Sequence, residues 1–292
     1  MKILLFGANG QVGRCVKDLI AAQQIPEGTE PLELVAIDRS QADLTETGSA
    51  ARAIETHKPA AIINAAAYTA VDKAEDETAL CAQINAHAPG EMATAAQAVG
   101  ARFVHISTDY VFDGSGDSPL TEDAPTNPLG VYGKTKLEGE MAVLAACPGA
   151  AILRTSWVYS PYGGNFVKTM LRLAETRDRL TIVADQIGGP TPADAIASAC
   201  LKIAQQKSGQ GLYHFQGSPA VSWADFARAI FLADKKSVDV VDIPTSEYPT
   251  PATRPLYTVL DCRRIAADFG IDQPDWRASL PALIDVLSDQ ET

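Results

Sequence analysis

Glycines at positions 7, 10 and 13 stand directly between a short apolar run, Ile3 to Phe6, and a stretch of helical character, Gln11 to Gln24. A GxxGxxG segment so placed demands a strand, a tight turn and a helix. Gly7 permits the turn, Gly10 lets a pyrophosphate approach the backbone, and Gly13 lets the helix pack closely on a sheet. The first amides of that helix have no partners within it and point at negative oxygens. Gly7, Asn9, Gly10, Gln11, Val12 and Gly13 are therefore candidate dinucleotide contacts. The spacing differs from the GxGxxG fingerprint, and an ordinary glycine loop is the alternative; position between strand and helix favours the cofactor.

The same alternation continues. Leu34 to Ile37, Ala60 to Asn64, Arg102 to Ile106 and Ala151 to Arg154 are further apolar runs, separated by helix-forming stretches at Asp72 to Val99 and Tyr132 to Ala145. Strands alternating with helices predict a parallel sheet. Residues 1–155 therefore read as a Rossmann-like, doubly wound α/β domain. The texture then changes: Leu180 to Ala184 and Gly211 to Phe215 suggest isolated strands, and Ser222 with Asp225 forms a capping-box relation. Ile243 to Pro255 is proline-rich and predicted extended. A smaller α+β substrate-binding lobe is expected over residues 156–292, with some segments returning to the main sheet. A chain of 292 residues can bury about three quarters of its unfolded surface.

Charge and composition exclude several classes. A formal net charge of −12 argues against a general nucleic-acid or anionic-membrane binder. It leaves room for a small anionic ligand held by local arginines and amides. The five cysteines are widely separated and form no CxxC pair, so reduced structural thiols and a cytoplasmic location are expected. The scattered histidines point to no structural zinc. The opening apolar stretch is too short for a signal peptide and ends in glycine, and no apolar run reaches spanning length.

Asp38, after the second apolar run, can accept hydrogen bonds from adenosine ribose hydroxyls, which favours NAD(H). Arg39 beside it can bind the extra phosphate of NADP(H), so use of NADH or NADPH is expected. Asp43 and Leu44 are placed to border adenine. Ala65, Ala66 and Ala67, with Tyr68 beside them, would let a flat cofactor lie against the backbone; small residues also serve ordinary close packing.

Tyr132 and Lys136 sit at i and i+4, on one helix face. A nearby ammonium lowers the cost of taking a proton from the phenol. Tyr132 can thus protonate a carbonyl oxygen as hydride reaches its carbon, while Lys136 holds the nicotinamide ribose. A hydroxyl after the strand Arg102 to Ile106 should orient the carbonyl; geometry leaves Ser107 and Thr108 both open.

Together the glycine loop, the strand-end hydroxyl and YxxxK resemble the extended short-chain dehydrogenases. The segments Asn64 to Glu75, Ile84 to Ala86, Ser107 to Gly114, Tyr132 to Glu140 and Arg154 to Tyr159 are similar to the dTDP-4-dehydrorhamnose reductase family. So are Gly164 to Phe166, Asp185 to Thr191 and Arg254-Pro255, so the resemblance covers nearly the whole chain. It implies a catalytic triad of Thr108, Tyr132 and Lys136. It implies reduction at C4 of dTDP-4-dehydro-6-deoxy-L-mannose to dTDP-L-rhamnose by NADH or NADPH, with no catalytic metal. Asp109, Tyr110 and Phe112 would border the sugar, Trp157 would form a wall, Asn165 would help position the nucleotide, and Arg254 would hold the diphosphate. Some relatives associate through a magnesium-containing interface, which implies a homodimer with non-catalytic magnesium; the sequence places no ligands for it.

Two departures bear on specificity. Thr258 stands where many relatives have serine, and Gly163-Gly164-Asn165-Phe166 lacks one amide side chain of the related pattern. Related epimerases and dehydratases are the nearest alternatives. Many dehydratases follow the strand-end threonine with Asp-Glu, whereas here Asp109-Tyr110 follows, which favours simple reduction. A regulatory subunit on the same fold is the remaining alternative, and the intact triad weighs against it.

Overall fold

Strands covered on both faces read as continuous apolar runs, and Ile3, Leu4, Leu5 and Phe6 are each at most 1% exposed. They form β1 (Lys2–Phe6), the first element of a computed structural model that describes residues 1–23, 31–206 and 208–289. There follow α1 (Gln11–Ala21), β2 (Glu33–Ile37), α2 (Ser49–His57), β3 (Ala61–Asn64), α3 (Val71–Ala74) and α4 (Thr78–Ala82). A π-helical turn, Gln83–His87, leads into α5 (Ala88–Val99), β4 (Arg102–Thr108), α6 (Val131–Ala146) and β5 (Ala151–Thr155). The expected first helix is thus found as far as Ala21; Gln24 lies outside the described residues.

The chain continues through β6 (Val158–Tyr159), α7 (Phe166–Ala174), β7 (Arg179–Val183), β8 (Ile187–Gly188), β9 (Thr191–Pro192), α8 (Ala193–Ala204) and β10 (Gly211–His214). It ends with β11 (Val221–Ser222), α9 (Trp223–Ala233), β12 (Asp239–Ile243), α10 (Arg263–Phe269) and α11 (Trp276–Asp289). The proline-rich stretch after β12 holds a short 3-10 turn, Thr245–Glu247, where only extended chain is expected. Ser222 caps α9 by accepting from the Asp225 amide at 3.0 Å.

The main sheet has six strands in the order β10-β5-β4-β3-β1-β2, and every pairing in it is parallel. Strand alternation sends Ile3, Leu5, Ile63, Val104 and Leu153 to a face covered by α1, α8 and α10. Leu4, Phe6, Ile62, Phe103 and Ile152 meet the helices α2, α5 and α6 on the other face. Strand β10 and the covering helices α8 and α10 come from beyond residue 155, and β10 pairs with β5 rather than standing alone. A separate apolar cluster joins α7, α9, α11 and β7 around Phe226, Ile230 and Trp276.

From β1 the chain winds outward to β2, then returns to β3 on the other side of β1. Such a reversal opens a crevice at the carboxyl ends of the two strands. The loops after β1 and β3 flank it.

Candidate active site

The crevice is a cavity of about 460 Å³ lined by Gly7 to Gly10, Ile37 to Arg39, Ala42 to Leu44 and Ala65 to Ala70. Its floor depends on two glycines. Gly7 has φ +80°, and a Cβ there would lie 2.6 Å from the Ala65 carbonyl carbon. A Cβ on Gly13 would lie 2.1 Å from the Gly7 oxygen, so Gly13 seats α1 against the turn. No side chain caps α1, whose N-cap is Gly10, leaving the helix end open to a ligand. These features fit a dinucleotide.

Asp38 faces the same cavity. Its Oδ1 accepts from the Ser40 amide at 2.9 Å and the Ser40 hydroxyl at 2.6 Å, while Asn9 Nδ2 donates to Oδ2 at 3.5 Å. The Ser40 bonds hold the carboxyl below its ordinary range. Arg39 donates to Asp43 at 3.1 Å and remains largely exposed.

A second cavity, of about 530 Å³, adjoins the first and is lined by Gln11, Ala65 to Ala67, Ser107 to Tyr110, Tyr132, Lys136 and Thr155 to Val158. The carboxyl end of β4 brings Ser107 and Thr108 here, and α6 brings Tyr132 and Lys136. Thr108 Oγ1 accepts from the Tyr110 amide at 3.2 Å and donates to Asp109 Oδ1 at 3.1 Å, and it neighbours the Tyr132 phenol. The Thr108 hydroxyl thus caps backbone and reaches the phenol as well. Burial raises the Tyr132 phenol above its ordinary range, so it carries its proton at neutral pH.

Lys136 is 1% exposed, and burial lowers it to about 8. Its Nζ donates to the Ile106 carbonyl at 2.7 Å and lies 3.4 Å from His105 Nε2. Behind it, Asn64 Oδ1 accepts from the Ala66 amide at 3.1 Å, which turns Nδ2 towards His105 Nδ1 at 3.0 Å. Burial keeps His105 neutral. As pH rises through about 8, Lys136 loses its proton and the cavity loses that positive charge. We expect kcat/KM to fall above that pH in a rate profile run between pH ~6 and ~10. Lys136→Arg, which stays charged, should lose this limb; its persistence would remove Lys136 as the cause.

Three buried polar atoms around the reaction cavity have no protein partner: Ser107 Oγ, Thr155 Oγ1 and Asp109 Oδ2. Their free hydrogen-bonding capacity fits polar ligands in this space. Burial pushes the Asp109 carboxyl up to about 6, against the opposing influence of the neighbouring Thr258 and Thr108 hydroxyls. The departure at Thr258 therefore lies beside Asp109.

The third cavity, of about 650 Å³, is lined by Tyr110, Phe166, Leu173, Arg177, Arg179, Ile182, Trp223, Tyr248 and Arg254, among others. Tyr110 borders both this cavity and the reaction cavity, and its ring meets Tyr132 edge-on at 5.5 Å. Trp157, at φ +44°, stacks on Trp223 with ring centroids 3.4 Å apart. Trp157 faces the reaction cavity and Trp223 the third, so the pair forms a wall between them.

Two expected contacts are corrected. Phe112 does not border the sugar space: it is 1% exposed, with Arg154 5.1 Å over its ring and His214 edge-on at 5.7 Å. Asn165 does not line the cavities described; it caps α7, accepting from the Lys168 amide at 3.1 Å and donating to Gln11 Oε1 at 3.1 Å. Its polar atoms are spent on the loop, although Asn before an apolar helical stretch is itself a cap signal. Residues absent from the sequence-based assignment are Trp223, which has no local signal, and Asp72 and Glu75. Asp72 pairs with Arg254 at 2.9 Å, and Glu75 caps α6 by accepting from the Val131 amide at 2.9 Å. Among the described residues, no cluster of His, Cys, Asp and Glu could hold a metal ion, and no helix is long and apolar enough to cross a membrane.

The family described as "RmlD substrate binding domain" matches residues 1–288. A dTDP-4-dehydrorhamnose reductase of Aggregatibacter actinomycetemcomitans is 44% identical, over 96% of this chain and 97% of its own. The crystal structure of a dTDP-4-dehydrorhamnose reductase from Clostridium acetobutylicum superposes with a TM-score of 0.92 at 42% identity, covering 99% of this chain and 100% of that one. The Bacillus anthracis enzyme of the same name, solved in complex with NADP, gives 0.89 at 34% identity, with 98% and 99% covered.

Proposed function

Because the chain belongs to the dTDP-4-dehydrorhamnose reductase family, we propose that it reduces the C4 ketone of dTDP-4-dehydro-6-deoxy-L-mannose to give dTDP-L-rhamnose, using NADH or NADPH. The observation that carries this reading is that Tyr110 lines both the reaction cavity, which holds Thr108, Tyr132 and Lys136, and a cavity of nucleoside size, whose wall also carries Arg254. A keto-sugar in the first and a nucleoside in the second would leave the diphosphate beside the guanidinium.

When bound in the β1–β3 crevice, the nicotinamide cofactor supplies hydride to the sugar carbon. The Tyr132 phenol donates its proton to the carbonyl oxygen, and burial keeps that proton in place at neutral pH until charge develops on the oxygen. Thr108 steadies the phenol and stabilises the negative charge left on it. Lys136 adds positive charge to that face and is aimed by the Ile106 carbonyl. The unpartnered Asp109 Oδ2 is available to a sugar hydroxyl, and Trp157 backs the ring. Ala65 to Ala67 admit a flat cofactor, and Asp38, Arg39, Asp43 and Leu44 line its adenosine end.

In this reading residues 1–155 chiefly hold the cofactor and residues 156–292 chiefly hold the substrate. A cytoplasmic setting is supported by five free, buried cysteines. A homodimer with interface magnesium is carried by family resemblance alone, and sedimentation with and without magnesium tests it. The function itself is tested by following NADH and NADPH oxidation with the keto-sugar while identifying the product. Cofactor loss matched by dTDP-L-rhamnose formation is expected. Sugar interconversion without net cofactor loss would point to an epimerase, and cofactor binding without turnover to a regulatory role.

A further inference from the structure

Arg254 is held from the opposite half of the molecule. Asp72, in α3 just beyond the loop after β3, accepts from Nη1 at 3.1 Å and from Nη2 at 2.9 Å. The same carboxylate accepts from the Ala252 amide at 3.2 Å, and Nη1 also donates to the Ala252 carbonyl at 3.1 Å. Carboxylate, guanidinium and the backbone two residues before the arginine therefore close a ring of hydrogen bonds.

A guanidinium carries five N–H donors arranged as two forks. Asp72 occupies the end-on fork, formed by Nη1 and Nη2. The remaining edge, Nε with the second Nη2 hydrogen, is the side that can take another anion in paired geometry. Arg254 lines the nucleoside-sized cavity beside the phenol of Tyr110, the residue that borders the reaction cavity as well.

We infer that Asp72 is a positioning residue for substrate: it grips Arg254 by one fork so that the other edge is presented to the diphosphate of the nucleotide sugar. The inference rests on the assignment of Arg254 to the diphosphate. The negative charge of Asp72 also opposes a bound diphosphate, so the sign of its effect must be decided. Its carboxylate is 42% exposed, and solvent screens its repulsion of the phosphates. The hydrogen-bonded orientation of the arginine is not screened in that way, and orientation wins.

Asp72→Asn keeps the shape and removes the paired acceptance. It should raise KM for the keto-sugar and Kd for dTDP about tenfold, the scale of one charge-assisted hydrogen bond. kcat should stay within about twofold, because no reacting atom is touched. Kd for thymidine, which lacks phosphate, and for NADPH should be unchanged; a merely structural role would disturb these too. In an Arg254→Met background the Asp72→Asn penalty on dTDP should vanish. Asp72→Glu, with the charge kept at a different reach, should give an intermediate loss and serves if the asparagine variant does not fold.

If Arg254→Met leaves dTDP binding intact, the diphosphate assignment itself fails. If Arg254→Met weakens dTDP while the Asp72 variants do not, the positioning role is overturned. It is equally overturned by an equal loss for thymidine, or by an undiminished penalty in the Arg254→Met background.

Discussion

Tyr132→Phe should lower kcat by about 10³-fold while leaving the fold and the NADPH affinity unchanged. Tyr132 is packed against Tyr110 with its hydroxyl beside Thr108, so phenylalanine keeps the ring contact and loses only the hydroxyl and its proton. A buried phenol held above its ordinary range is a poor spontaneous acid. It becomes an effective donor only when negative charge grows on the carbonyl oxygen as hydride arrives. Removing it leaves the remaining hydroxyls of Ser107, Thr108 and Thr155 to stabilise the alkoxide without protonating it. Single-turnover rates separate this from slow product release. A variant turning over at the wild-type rate would remove Tyr132 as proton donor and direct attention to Asp109, whose carboxyl is pushed up to about 6 in the same cavity.

Glu140→Gln should be the most damaging single change to stability away from the catalytic groups, costing about 3–5 kcal/mol. Glu140 on α6 and Arg154 on β5 are each 2% exposed and joined twice, Nε to Oε1 at 2.9 Å and Nη2 to Oε2 at 2.6 Å. The amide keeps the volume but leaves the arginine charge buried without its counter-ion. His214, 3.5 Å from Nη1, cannot compensate, since burial and the arginine itself hold it neutral, with its pKa lowered to about 3. The thermal midpoint should fall on the order of 10 °C. A combined Glu140→Leu and Arg154→Met variant should recover much of the loss, because an ion pair replaced entire by apolar groups avoids the unpaired charge. A single variant within about 1 kcal/mol of wild type would mean that water reaches Arg154. Glu140 also raises the affinity of Lys136 for its proton, so any surviving activity should decline at a lower pH than in the wild type.

The cofactor half was legible because its signals are local. Ile3 to Phe6 is apolar throughout since a parallel strand is covered on both sides, and Gly7 and Gly13 are glycines because backbone lies within 2.1 to 2.6 Å of where their Cβ atoms would be. Tyr132 and Lys136 fall on one helix face by periodicity alone. The resemblance places Phe112 at the sugar with Asp109 and Tyr110, whereas its surroundings are decided by Arg154 of β5 and His214 of β10. For Asn165 the resemblance implies a nucleotide contact, whereas the local pattern, Asn before an apolar helical stretch, is that of the cap it forms.

The amino-acid sequence by itself determined the strand–glycine–helix opening, the strand–helix alternation as far as β5, and the placing of Tyr132 and Lys136 on one helix face. Each of these is set by neighbours within a few turns of helix or one strand. Only the tertiary structure decided that β10 completes the sheet, that Trp157 stacks on Trp223, and that Arg254 is gripped by Asp72. Those contacts join residues far apart in the chain, where no periodicity or spacing reports a partner. What selects them is the packing of one lobe against the other, a property that no local stretch of sequence carries.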